Sequence, residues 1–312
     1  MSDRGQLSAW LAEHLGASNV DSVHRLSGGA SRETYRFVAD GRRLVAQRQR
    51  PGGEHSVVNE ARLVTLAAAT GVPVAEVVTC GTDPDGLEFL VTAEIDGATI
   101  PRRILRDDRF ANARQALAGQ LGVALARLHA VEPGDAPFLE VVDELDAYRK
   151  HIDDLGIVNP VFELAIRWLD RHRPPRRRTA VVHGDFRLGN IVVGDDGLRA
   201  VLDWELAHIG DPMEDLGWLC APAWRFGSEH PVAGVGSYAE LFAAYEAAGG
   251  GTVDPTAVAW WRTLSSLKWG VMCVQQARTH LDGVLRSHEL AAIGRRVAQT
   301  EHDLLSELDV QR

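Results

Sequence analysis

Lysine is almost missing from this 312-residue chain: it occurs at Lys150 and Lys268, every other cationic side chain except histidine is arginine, and the first 149 residues contain no lysine. Any fixed positive charge needed in the N-terminal half must therefore come from arginine, a planar fork rather than a compact ammonium. Cysteine is scarce as well. Cys80, Cys220 and Cys273 are odd in number and far apart, which argues against a disulfide framework or a zinc cluster and leads us to expect a reducing, cytoplasmic setting. No apolar run approaches the roughly 18 residues that would span a bilayer, and the opening Met1-Ser2-Asp3-Arg4 has none of the apolar run of a signal peptide. Membrane partners are thus not expected. Nor is nucleic acid, because the formal net charge is −10 and affinity for a polyanion comes from clustered Lys and Arg. The one basic run, Arg171 to Arg178, is broken by Pro174-Pro175 and reads as a solvated connection. Internal repeats and low-complexity linkers are absent too.

What remains is an ordinary globular composition, 45% apolar and 24% charged, in a chain long enough for two lobes with separate cores. Its most informative stretch is His183-Gly184-Asp185-Phe186-Arg187-Leu188-Gly189-Asn190, followed by the apolar run Ile191-Val192-Val193, the turn Gly194 to Gly197, a second strand, and Asp203-Trp204-Glu205. Phosphoryl transfer needs a base that orients the acceptor and oxygen ligands for the magnesium that neutralises the phosphates. Asp185 suits the base. The amide oxygen of Asn190 and the carboxylate of Asp203 suit a hard cation. The spacing H-x-D-x-x-x-x-N, with an Asp one hairpin later, is that of the protein-kinase catalytic loop and its metal-binding Asp.

The rest of the chain is read around that centre. Gly28-Gly29 with Ser31 forms a turn whose amides and hydroxyl suit an anion, although a plain hairpin fits the same residues. On the strand Leu44-Val45-Ala46-Gln47-Arg48, where a kinase carries its phosphate lysine, the register places Arg48, and a shift of one residue places Gln47. Glu60, in a helix starting near Val58, is expected to pair with Arg48; a solvent-facing glutamate is the plainer alternative. The strand Leu87 to Thr92 runs into Ala93-Glu94-Ile95, where a chain leaving a sheet exposes backbone groups to an adenine edge. Thr92, Ala93, Glu94 and Ile95 are therefore candidate nucleotide contacts, and the hinge falls at about 92–97. Helices are expected over 6–15, 58–66, 112–130, 161–172, 237–248, 255–281 and 287–309. Asp211 before Pro212 reads as a helix cap, His129 as a helix-end or core histidine, Asp215 as an acceptor for the 183–185 backbone, and Trp260, Trp261 and Trp269 as core.

The His183-to-Asn190 and Val201-to-Glu205 stretches, with Gly210-Asp211-Pro212 and Asp215-Leu216, resemble the aminoglycoside phosphotransferase, or choline-kinase-like, family over nearly the whole chain. Leu26 to Tyr35, Gly71 to Val74 and Leu128 to Val131 are similar to the branch that includes kinase-like domains attached to certain acyl-CoA dehydrogenases. The resemblance implies an α+β, bilobal, protein-kinase-like fold, with a small antiparallel-sheet lobe over 1–97 and a mostly helical lobe over 98–312. It also implies ATP, magnesium and transfer of the γ-phosphoryl group to the hydroxyl of a small-molecule acceptor. Carried over by position, Asp185 is the base, Arg187 stands near the γ-phosphate, Asn190 and Asp203 hold the metal, and Gly28, Gly29 and Ser31 cover the phosphates. The missing strand lysine departs from the pattern and motivates a competing reading, a nucleotide-binding pseudokinase. A third reading is a metal-dependent hydrolase built on His183, Asp185, Asp203, His208 and Asp211. Acceptor identity and oligomeric state stay open.

Overall fold

Alternating side chains decide the first part of the structure, a computed structural model that describes residues 4–26, 32–53, 55–175 and 178–310. Five antiparallel strands, β1 (Val20–Leu26), β2 (Arg32–Ala39), β3 (Arg42–Gln49), β4 (Val77–Thr82) and β5 (Glu88–Ala93), lie in the order β1-β2-β3-β5-β4. Successive residues on a strand point to opposite faces. One face, with Phe37, Leu44, Ala46, Phe89 and Val91, is covered by Leu7 and Leu11 of α1 (Arg4–Leu15). On the other, Leu90 meets Val57 and Ala61 of α2 (Val57–Ala69). Ser56 caps α2 by accepting the Asn59 amide at 3.1 Å. The next turns of α2, through Leu63, Val64 and Ala67, belong to the core of the helical part, so α2 joins the two.

After the sheet the chain crosses at Gly97, where a Cβ would sit 2.4 Å from Val192 Cγ1 and 2.8 Å from Val193 O. Only glycine allows that approach. The neighbouring Ala98 exchanges backbone hydrogen bonds of 2.9 Å in both directions with Val193. Helices α3 (Pro101–Arg106), α4 (Ala111–Leu128), α5 (Glu144–Asp154) and α6 (Pro160–Arg171) lead to strand β6 (Ala180–Val182). The hairpin β7 (Ile191–Gly194) and β8 (Gly197–Val201) follows, and β9 (His208–Gly210) pairs with β6. Then come α7 (Met213–Leu219), α8 (Tyr238–Ala247), α9 (Pro255–Leu281), α10 (His288–Gly294) and α11 (Val297–Val310).

The axis of this part is α9, capped by Asp254, which accepts the amides of Thr256 and Ala257. Its Leu264 and Leu267 join Leu121 of α4, Phe162 of α6, Leu216 of α7 and Leu304 of α11 in one core. Expected helices mostly stand where periodicity put them. The exception is 287–309, which is two helices: Gly294 ends the first by lying so close to α9 that a Cβ would come 2.5 Å from Ala277 Cβ, and the chain turns at Arg295 before resuming. No helix among the described residues is long and apolar enough to cross a membrane.

Candidate active site

The loop from β6 to β7 is shaped by glycine and by one buried carboxylate. Gly184 has φ of +76°, and a Cβ there would lie 2.5 Å from Leu206 O. Asp215, on α7 and fully buried, accepts the amides of His183 (2.8 Å) and Gly184 (3.0 Å) and meets His129 Nε2 at 3.1 Å. Burial alone would raise the Asp215 pKa, but His129 and His183 hold it below the usual carboxylate value. The expected acceptor role of Asp215 is therefore met for two of three amides. The third, of Asp185, donates to His183 Nδ1 at 3.2 Å. With Nδ1 accepting, Nε2 carries the proton that goes to Leu202 O at 3.0 Å, and burial keeps this imidazole neutral. His183 is thus a strut of the loop.

Three donors fix the Asp185 carboxylate. Arg187 Nε and Trp218 Nε1 each donate to Oδ1 at 2.8 Å, and Asn190 Nδ2 donates to Oδ2 at 2.6 Å. The same amide nitrogen also reaches Asp185 O at 3.0 Å. Asn190 therefore spends its nitrogen on Asp185 and keeps Oδ1 as the atom with lone pairs to give. Its backbone carbonyl takes the Leu202 amide at 2.8 Å, tying the loop to the strand that ends at Asp203. The Arg187 guanidinium lies 4.7 Å over the Trp224 ring. Trp218, an indole that sequence reasoning did not place at the site, is 1% exposed and stands on α7 three residues after Asp215, a little less than one full turn of about 3.6 residues; the D-L-G-W spacing in Asp215 to Trp218 puts both on one helix face.

Asp203 has φ of +63°, a conformation that asparagine and aspartate tolerate better than other residues and that persists mainly at functional sites. Its pKa is pushed up to about 7 by burial and by the nearby carboxylates of Glu205 and Asp185, with Arg32 opposing. A set of acidic groups that repel one another this strongly is short of positive charge. Asp203 and Asn190, one carboxylate and one amide oxygen, thus fit a hard divalent cation such as magnesium.

The N-terminal side of the cleft differs from expectation. Arg48 does not pair with Glu60. It stands in register with Glu33 and Phe89, on the face that carries Leu44 and Ala46 under α1, and binds Asp83 (2.5 Å) and Asp85 (2.6 Å). The one-residue alternation leaves Gln47, opposite Leu90, on the α2 face, so the strand position of the phosphate lysine falls to Gln47. Glu60 is buried, not solvent-facing, and its partner is Arg32 at the start of β2. Arg32 also reaches Glu205 at 3.3 Å, and the Trp204 amide donates to Glu60 at 3.5 Å.

Gly28, Gly29 and Ser31 lie outside the described residues. Thr92 and Ala93 remain inside the sheet, paired with Val45 and Leu44. The amides of Ala93 and Glu94 are spent on Glu76 O (2.9 Å) and Arg43 O (3.0 Å), so neither is a free donor to a ligand; β5 ends at Ala93, and Glu94 and Ile95 lie beyond the ladder. The hydrolase reading is not assembled: His183 is a strut, Asp211 caps α7 by accepting the Met213 amide at 2.9 Å, and His208 binds Glu214 at 3.2 Å. Among the described residues, the group spaced for a metal is Glu144, His208 and Glu214. Lys268 Nζ already lies between its carboxylates, 2.8 Å from Glu144 and 3.1 Å from Glu214.

Comparison with known proteins agrees with this geometry. The model of the "phosphotransferase enzyme family" matches residues 22–261. Mouse acyl-CoA dehydrogenase family member 10 is 30% identical over 252 residues, which is 72% of this chain and 23% of that protein, so the chain spans about a quarter of that relative's length. Among solved structures, a Ralstonia eutropha protein assigned as an aminoglycoside phosphotransferase superposes with a TM-score of 0.77 at 22% identity, covering 98% of each chain. The spectinomycin phosphotransferase APH(9)-Ia, solved with ADP and spectinomycin, gives 0.71 at 12% identity over 98% of this chain and 99% of its own. These likenesses establish the kinase-like α+β fold, with its antiparallel sheet at the N-terminal side and helices after it.

Proposed function

The chain belongs to the phosphotransferase enzyme family, and from that premise we propose that it is an ATP- and magnesium-dependent small-molecule kinase that phosphorylates a hydroxyl group. Residues 1–97 hold the nucleotide, 98–312 carry the base and the acceptor site, and the lobes meet at 92–97. The observation that carries this reading is the Asp185 carboxylate, fixed by Arg187, Trp218 and Asn190 beside a second carboxylate, Asp203, at a site short of positive charge.

In the reaction, an Asp185 oxygen accepts the proton of the acceptor hydroxyl as the hydroxyl oxygen bonds to the terminal phosphorus; the bond from phosphorus to the bridging oxygen breaks, and a nucleoside diphosphate leaves. Asn190 and Trp218 hold the carboxylate so that the proton has one place to go. Arg187, which pairs with Asp185 here, is long enough to turn its fork toward the phosphoryl oxygens and offset charge there. Asn190 Oδ1 and Asp203 would hold magnesium, which when bound neutralises the phosphates.

The test is acceptor-dependent release of ADP from ATP and magnesium across a panel of hydroxylated compounds that includes aminoglycosides, amino alcohols and hydroxyacyl thioesters. Acceptor-dependent release is expected. Gln47 at the lysine position favours a second reading, a pseudokinase that binds nucleotide without transfer; tight ATP binding with no release on any acceptor would support it.

A further inference from the structure

The chain lacks a lysine where a kinase fold places one, yet the helix glutamate that would orient it, Glu60, is present, 6% exposed and ion-paired. A buried carboxylate keeps its charge when a cation is beside it. Here that cation comes from a different strand. On β2, Glu33, Tyr35 and Phe37 turn toward the α1 side, so Arg32 turns toward α2 and the cleft. Arg32 is opposite Gln49, and Thr34 is opposite Gln47. Arg32 is therefore the diagonal neighbour of Gln47 on the same face, about 7–8 Å away along the sheet, a distance a guanidinium spans.

Two carboxylates aim it. Glu60 binds Nη1 from the sheet side and Glu205 binds Nη2 at 3.3 Å from the far side of the cleft. Each takes one terminal nitrogen of a group with five N–H donors, so donors remain for another anion. Glu205 stands two residues after Asp203, so its ion pair with Arg32 brings the guanidinium to the side of the cleft that carries the candidate metal ligands, where nucleotide phosphates would lie. A structural ion pair would need one carboxylate. Two, from opposite sides of the cleft, fix the fork in a plane.

We propose that Arg32 holds the phosphates of the bound nucleotide in place of the missing strand lysine, with Glu60 and Glu205 orienting its guanidinium. This rests on the nucleotide-dependent reading above. It makes the cleft's phosphate grip a bidentate fork from β2 rather than a point charge from β3.

The experiment is calorimetric binding of ATP with magnesium, and of adenosine as a phosphate-free control, to the full chain. Arg32→Met should weaken ATP between about 10- and 100-fold, the range of a lost hydrogen bond to a charged group, and leave adenosine binding close to wild type, although the melting temperature falls because buried Glu60 loses its partner. Adding Gln47→Lys to Arg32→Met should recover most of the ATP affinity, because it restores a cation within reach of the same phosphates; Arg32→Lys should fall between. Equal ATP affinity in wild type and Arg32→Met would overturn the assignment, and so would equal losses for ATP and adenosine without rescue by Gln47→Lys, which would make Arg32 a structural bridge. Wild type that binds ATP through Arg32 yet releases no ADP with any acceptor would sink the transfer reading and leave this one standing.

Discussion

Arg48 carries three acidic neighbours on the outer face of the sheet, Asp83, Asp85 and Glu33. Removing it leaves the Asp83 carboxylate, whose side chain has no solvent exposure, with the amides of Asp85 and Leu87 as its hydrogen-bond donors among the described residues. Arg48→Ala should therefore lower stability by about 1–3 kcal/mol in urea unfolding while leaving the dissociation constant for ATP unchanged. A large loss of ATP affinity would mean that the fork swings into the cleft. The sequence suggested the opposite role for Arg48 for a definable reason. In Leu44-Val45-Ala46-Gln47-Arg48 both alternating sets begin with apolar residues, so the pattern does not say which set faces α1; packing of Leu44 and Ala46 on Leu7 and Leu11 decides it. The catalytic loop was legible because its spacing is local. His183, Asp185 and Asn190 lie within one turn, and the hydrogen bonds between them follow from eight consecutive residues. Trp218 and Arg32 were not legible, since each reaches the site from a separate element.

At the scale of elements, α1 and α2 sandwich the sheet, and α2 alone also reaches the helical core. The two helices should consequently differ in what they support. Leu11 of α1 is fully buried against the sheet, and Leu11→Ala should cost about 2–5 kcal/mol of stability without altering ATP affinity below the transition, because α1 covers the face away from the cleft. Urea unfolding and ATP titration of the same sample would check both halves; a matched loss of affinity would show that α1 holds the cleft strands in register. Most helices were readable from apolar periodicity and from caps, such as Asp254 before Pro255. The break between α10 and α11 was not, since Gly294 is required by its contact with Ala277 across the helix pair, and nothing in the local sequence of 287–309 signals that contact.

Over the whole molecule, one buried charge network joins α5, β9, α7 and α9. Lys268 bridges Glu144 and Glu214, and His208 donates to Glu214 from Nε2 and to Leu206 O from Nδ1, which requires both ring nitrogens to be protonated. Burial opposes that charge, but Glu214 and Glu144 overcome it and push the His208 pKa up to about 9. A histidine raised in the folded state stabilises fully below its unfolded pKa, about 6.5. The contribution then declines as pH rises and is gone above about 9, a loss of about 3 kcal/mol. Wild type should therefore lose stability between pH 6.5 and 9 relative to His208→Gln, read as the difference between their urea midpoints; parallel midpoints across that range would contradict the imidazolium. The same network backs the proposed base, for Lys268 Nζ lies 5.1 Å over the Trp218 ring and Trp218 holds Asp185. The most direct measurement of the central claim is phosphorus NMR of ATP, magnesium and a responsive acceptor with wild type and with Asp185→Asn. We expect a phosphomonoester resonance to grow with wild type as the γ-phosphate signal falls, and the rate to drop at least about 100-fold in the variant while ATP still binds. Equal rates in the two proteins would contradict Asp185 as the base and with it the mechanism.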